Sequence, residues 1–173
     1  MGLWPTLSMN TRYRWLRETP TLLSRTRLYG LPDPSISVYA AFMESRREPH
    51  TSRLIFEGED SIESGIAGAE AIFSRERVSA IFTGNDQMAF GVYRWAFEKR
   101  LSIPEELSVV GFDDVPQAAT VIPPLTTFRF PVREVAEHAV RLLLAKQQKT
   151  FRPEESRTLH MQMTVRNSVT VKS

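Results

Sequence analysis

The 173-residue sequence contains no cysteine. That excludes a disulfide framework, a thiolate nucleophile and a zinc–thiolate site. Histidine is nearly as scarce: His50, His138 and His160 lie far apart, and no two have ligand spacing. With so few donors neither a metal centre nor a cofactor is expected. No apolar run approaches the roughly 20 residues that a bilayer span needs, and no secretory signal pattern opens the chain. Glycine is limited to 8 residues, and none of them builds a phosphate-cradling loop or a Gly-x-Ser-x-Gly elbow. A large charge of one sign is missing too. The net charge of +2 asks for no acidic partner, although Arg12, Arg14, Arg17, Arg25 and Arg27 face only Glu18 in the first thirty residues. That arm reads either as a nucleic-acid contact or as a solvated helix face or loose end.

What is present is ordinary soluble-protein composition, 42% hydrophobic and 24% charged, in a chain long enough to bury a core. The chain is organised around Val78–Phe130. Two short apolar runs, Val78–Thr83 and Leu107–Phe112, each end in a polar cluster: Gly84-Asn85-Asp86, then Asp113-Asp114. One helix-length segment separates them, so the stretch reads as strand–helix–strand. In a parallel sheet both polar clusters fall on the edge where open α/β sheets bind ligands. A small-molecule site on Asn85 and Asp113 follows as the expectation. The alternative reading is that Asn85 or Asp86 caps the next helix and that Asp113 or Asp114 closes a turn.

Upstream, Tyr13, Trp15 and Leu16 suit a short helix ended before Pro20. Thr26–Leu31 reads as a strand, closed by Pro32-Asp33-Pro34, which interrupts any helix. A helix over about Ser37 to Arg47 and a strand Ser52–Glu57 come next. Asp60 with Glu63 has capping-box spacing before Ile62, Ile66, Ala69 and Phe73. The resulting β-α-β-α-β order is that of a doubly wound parallel sheet.

Asp86 is placed as the cap of a helix Gln87–Lys99 whose Met88, Ala89, Phe90, Val92, Tyr93, Trp95, Ala96 and Phe97 leave little polar face, so it needs cover on two sides. After Leu107–Phe112 come a short helical turn at Val115–Thr120 and an extended crossing through Pro123-Pro124. Pro131 opens a helix with the stripe Val132, Val135, Ala136, Ala139, Val140 and Leu143. Thr158–Val165 reads as a closing strand.

Several of these pieces, in order, carry a family resemblance. They are Gly84-Asn85-Asp86-Gln87-Met88-Ala89-Phe90-Gly91, the run Ile103-Pro104-Glu105-Glu106-Leu107-Ser108-Val109-Val110-Gly111-Phe112-Asp113-Asp114, Pro123-Pro124-Leu125-Thr126-Thr127 and Val165-Arg166-Asn167-Ser168. Together they resemble the C-terminal part of the lactose/galactose repressor (LacI/GalR) family of transcriptional regulators.

The resemblance implies an α/β, periplasmic-binding-protein-like (type I) fold, with a doubly wound parallel sheet in each of two subdomains that clasp a sugar or similar small metabolite as effector. It also implies a dimer, a cytoplasmic location, DNA contact through a separate helix-turn-helix, and neither enzymatic activity nor a membrane partner. Asn85 and Asp113 match effector-binding positions. Asp60 stands where an aromatic ring is usual, and Phe130 where a polar side chain is common. The family's ligand-holding arginine maps to Arg27, or to a position near Ser35. Phe90 and Val121 match the subunit interface.

On this reading residues 1–20 are a poorly defined basic segment, and 21–129 form the effector-binding C-subdomain. Residues 130–157 are a crossover helix belonging to the first subdomain, and 158–173 a returning strand and tail. The helix-turn-helix and most of the first subdomain have no counterpart, so the chain reads as truncated, and pairing with a full-length relative is an alternative to a homodimer. That leaves the Val132–Leu143 stripe without its sheet. Each aliphatic side chain left exposed forgoes roughly 1.5–3 kcal/mol, so marginal stability or self-association is expected. A periplasmic-type sugar-receptor fragment and a non-functional remnant stay open as other readings.

Overall fold

The computed structural model of the chain describes residues 20–25, 34–45, 54–148, 150 and 159–170. Strands β1 (Pro20–Arg25), β2 (Ile55–Gly58), β3 (Ala80–Thr83) and β4 (Ser108–Val110) pair in parallel in the order β2-β1-β3-β4. Ser108, Val109 and Val110 are all buried, as are Ala80, Ile81 and Thr83. Strands covered on both faces read as continuous apolar runs, which is why these two stand out in the sequence. The chain steps outward from β1 to β2, then back past β1 to β3. Right-handed crossovers therefore put helix α1 (Pro34–Ser45) on one face of the sheet. Helices α2 (Ile62–Phe73) and α3 (Asp86–Lys99) lie on the other.

The core lies between the sheet and the α2–α3 layer. Ile72, Ile81, Met88, Val92, Leu107, Val109 and Leu125 have almost no exposed surface. The two helices touch backbone to backbone. A Cβ on Gly91 would overlap the carbonyl oxygen of Ile62 and come within 2.8 Å of the Gly65 Cα. Small residues at this crossing draw α3 close and fix the height of its N-terminus at the sheet edge. Trp95 closes the far end, packed on Phe73 with ring centroids 4.5 Å apart and donating from Nε1 to Glu70 Oε2 at 2.5 Å.

Beyond β4 a 3-10 turn (Pro116–Ala119) leads to β5 (Thr127–Arg129), helix α4 (Val132–Gln147) and β6 (Gln162–Thr164). The N–H groups of Gly111 and Asp113 donate to the carbonyls of Thr126 and Phe128 at 2.9 and 2.8 Å, so β5 runs beside β4. β6 pairs antiparallel to β5. Ser168 pins the return: its hydroxyl donates to Val109 O at 2.6 Å and accepts from Thr126 N at 2.8 Å.

Several expectations shift. The short helix around Tyr13–Leu16 and the strand Thr26–Leu31 fall outside the described residues, and β1 lies at Pro20–Arg25, where no strand was expected. Helix α1 starts at Pro34 and not at Ser37, because proline fits the first helical turn, where its missing N–H costs nothing. Ser61, and not Asp60, caps α2: its extended backbone (φ −141°) aims the hydroxyl at Ser64 N–H, 3.0 Å away. Asn85, and not Asp86, caps α3, its Oδ1 accepting from Met88 N at 2.8 Å. Helix α3 is buried along most of its length, yet Phe97 is 83% exposed.

The stripe on α4 is exposed as expected. No α4 residue is buried, and Val132, Val140, Leu143 and Leu144 are each half or more exposed. Val135 is the exception within the stripe: it is half-buried and lies in one row with His138, Leu142 and Ala145. An uncovered aliphatic face of this size drives association. The chain is therefore expected to self-associate with a concentration-dependent melt, and the double substitution Val140→Lys, Leu143→Lys to reduce that dependence. A monomer of the unmodified chain melting sharply at every concentration would contradict this.

Candidate functional site at the strand exits

The order β2-β1-β3-β4 reverses direction between β1 and β3, and such switch points open a crevice at the carboxyl ends of the strands. Asn85 lies two residues beyond the end of β3 at this point. It is 4% exposed, and its backbone is held by the Thr83 hydroxyl, which donates to Asn85 O at 2.8 Å. Its Oδ1 is committed to the cap, which leaves the amide hydrogens as its groups for a ligand.

Asp86, the next residue, points the other way. It is 1% exposed; Oδ1 accepts from Thr127 Oγ1 at 2.6 Å and Oδ2 from Val115 N at 2.9 Å. Burial raises its pKa against the opposing pull of these hydrogen bonds. Gly111 leaves room for this carboxylate, because a Cβ there would overlap Asp86 Oδ1. Asp86 N–H donates to Phe112 O at 2.8 Å, which brings Asn85 beside the end of β4.

At that end Asp113 and Asp114 have φ values of 115° and 56°, a region that residues other than glycine seldom adopt. Asp113 is exposed, and it bridges in parallel to Arg129. Asp114 turns inward, and its side chain is 3% exposed. Its Oδ1 accepts from Arg166 Nη2 at 2.7 Å, and its Oδ2 from Arg129 Nε at 2.6 Å and Thr164 Oγ1 at 3.2 Å. Burial pushes its pKa up, but the hydrogen bonds and charges of Arg166 and Arg129 outweigh it and the net shift is downward.

The structure thus brings Asn85, Asp113 and Phe130 to adjoining strand exits, with Phe130 43% exposed one residue past β5. Asp60 is exposed and follows β2, with β1 standing between that strand and β3. Arg27 lies outside the described residues, and Ser35 falls in the first turn of α1. Phe90 and Val121 are half-buried and packed against the core from outside. The Tyr93 hydroxyl donates to Pro123 O at 2.9 Å and so ties the Val121–Pro123 loop to α3. Beside them Phe97 and Ile122 stand open, Ile122 at 92% exposure. Sequence reading assigned no role to Arg129, Thr164 or Arg166. The signal available was an arginine inside the closing Val165–Ser168 motif, which a buried carboxylate had to answer.

The profile described as "periplasmic binding protein-like domain" matches residues 23–169. The chain belongs to this family. Its relatives are LacI-type transcriptional regulators rather than enzymes. Over 68 residues it is 43% identical to the ribose operon repressor of Escherichia coli, covering 39% of this chain and 21% of that protein. Over 123 residues it is 37% identical to the HTH-type transcriptional regulator reg1 of Streptomyces lividans, covering 71% and 35%. A LacI-family regulatory protein from Chloroflexus aggregans superposes with a TM-score of 0.79 at 27% identity, over 87% of this chain and 55% of that one. The family's fold, read from the sequence as periplasmic-binding-protein-like, is the fold observed. The chain spans well under half the length of these two curated relatives.

The Asp114 pair sets a pH-dependent stability. A depressed folded pKa contributes stability above the ordinary aspartate value of 3.8, and that contribution is lost as pH falls through the folded value. Arg166→Ala is expected to cost about 3 kcal/mol at neutral pH, the usual penalty for breaking a buried pair. The deficit should shrink as pH falls from 3.8 toward the lower folded value, through which the wild type protonates Asp114 and loses the pair. Urea unfolding at both pH values measures it; a deficit of equal size at both would contradict the pairing.

Proposed function

We propose that this chain is the effector-sensing and dimerisation part of a LacI-type transcriptional regulator. Its effector is a small metabolite of the sugar class. The observation that carries the reading is that Asn85, beyond β3, and Asp113, beyond β4, stand at the exits of neighbouring strands. The Asn85 amide offers donors, and the outward Asp113 carboxylate accepts hydroxyl protons, a combination suited to a polyol. Asp113 is the more accessible of the two and makes the larger contribution. Phe130 supplies an apolar flank, and Asp60 closes the far side of the same edge. The name of the ribose operon repressor among the relatives favours a sugar.

In this reading residues 21–129 form the effector-binding subdomain and 130–157 the crossover helix, with 158–173 the returning strand and tail. DNA contact is made through a helix-turn-helix outside these residues. The chain is not an enzyme and works in the cytoplasm without a membrane partner. No described helix is long and apolar enough to cross a bilayer. Phe90 and Val121, with Phe97 and Ile122 around them, form the surface on which two copies meet.

Calorimetric titration with D-ribose and a panel of other pentoses and hexoses tests the site. Asp113→Asn is expected to weaken binding at least tenfold with little change in melting. Asn85→Asp keeps the cap acceptor and loses the amide donors, and is expected to weaken binding as much while lowering the melting temperature, because it buries a second carboxylate beside Asp86. Binding untouched by both substitutions would refute the assignment. For the interface, Phe90→Lys introduced beside Val140→Lys and Leu143→Lys is expected to convert a residual dimer to monomer in sedimentation velocity. An unchanged sedimentation coefficient would place the dimer contact elsewhere.

A further inference from the structure

We infer that Asp114 is a positioning residue for the effector edge: held by Arg129, Thr164 and Arg166, it fixes the turn that aims Asp113 outward and couples that turn to β5 and β6. The inference rests on the reading of Asp113 as an effector contact. Two consecutive aspartates stand at positive φ, 115° and 56°, where glycine would adopt the backbone more easily. Such conformations persist when the surroundings over-determine them. On one side Asp113 N–H is fixed to Phe128 O at 2.8 Å. On the other, the Asp114 carboxylate is clamped from two strands at once, by Arg129 at the end of β5 and by Thr164 and Arg166 at the end of β6.

Arg166 is itself immobilised. Its Nη1 donates to Leu125 O at 2.7 Å and its backbone N–H to Thr126 Oγ1 at 2.9 Å. The two aspartates thus divide the work. The side chain of Asp114 is 3% exposed and fully engaged, whereas Asp113 is exposed. A displacement of β5 or β6 pulls on Asp114 and turns the adjacent Asp113. By reciprocity, a ligand that favours one orientation of Asp113 biases the position of the two strands.

Amide hydrogen exchange on the labelled chain tests this without a ligand. In Asp114→Asn, exchange at Asp113 and at Gln162–Thr164 should accelerate at least tenfold, while Ala89 and Val92 in α3 keep their rates. Should that variant fail to fold, Arg129→Ala decides, because the Arg129 side chain is 60% exposed and the Arg166 clamp stays in place; a threefold or larger acceleration at Asp113 is expected. Restoring the cation as Arg129→Lys should recover part of the protection. Unchanged exchange at Asp113, or acceleration that runs in parallel at Ala89 and Val92, would overturn the positioning role and leave Asp114 as general ballast. Titration with D-ribose or another sugar bound by the wild type then separates the two claims. Tighter dependence on Asp113 than on Asp114, with both weakening binding, supports the whole account. Sugar binding that ignores Asp113→Asn refutes the effector reading, and the exchange rates still judge Asp114.

Discussion

Two buried carboxylates at the strand exits, Asp86 and Asp114, set the terms for everything around them. A carboxylate out of water is costly unless hydrogen-bonded and paired, so the chain has to deliver donors to both. Asp86 receives Thr127 and the Val115 amide; Asp114 receives Arg129, Thr164 and Arg166. All of these donors come from chain beyond β4. Meeting the demand therefore pulls the 3-10 turn, β5 and β6 onto the edge of the sheet, where Gly111 keeps the space open.

Their neighbours differ in kind. Asn85 precedes one buried aspartate, is itself 4% exposed and caps α3, whereas Asp113 precedes the other and is exposed at the strand exits. The close Gly65–Gly91 crossing seats α3, and the Asn85 cap holds its first turn against the end of β3. A rigid edge with a few outward polar groups is what a small polar ligand requires, since little ordering remains to be done on binding. The outer surface of α3 is a separate feature, apolar and joined to the 121–123 loop through Tyr93.

Much of this was legible in the sequence. Continuous apolar runs ending in polar clusters located β3, β4 and the strand exits. Helical spacing located α2, α3 and α4, and the prolines around the 3-10 turn marked the crossing. The strand exits pointed to Asn85 and Asp113, and the family resemblance favoured the same two as effector contacts. β1 was not legible, because Leu22-Leu23 between Thr21 and Ser24 is too short a run, and pairing on both sides with β2 and β3 makes the strand. The caps were misplaced by one residue, since Asp60-Ser61 and Asn85-Asp86 each offer two competent oxygens and backbone geometry chooses between them. The clamp on Asp114 was invisible for another reason: its partners lie 15 to 52 positions away, and no local pattern carries such a contact.

The most direct test of the central claim, that Asn85 and Asp113 form one jaw of an effector site, is a proton–nitrogen correlation spectrum of the chain recorded during addition of D-ribose and related sugars. The account predicts that a bound sugar shifts the Asn85 side-chain amide and the backbone amides of Asp113 and Phe130 first, with the α2–α3 crossing unmoved. Shifts centred on α4 or on the outer face of α3, with Asn85 and Asp113 silent, would contradict it.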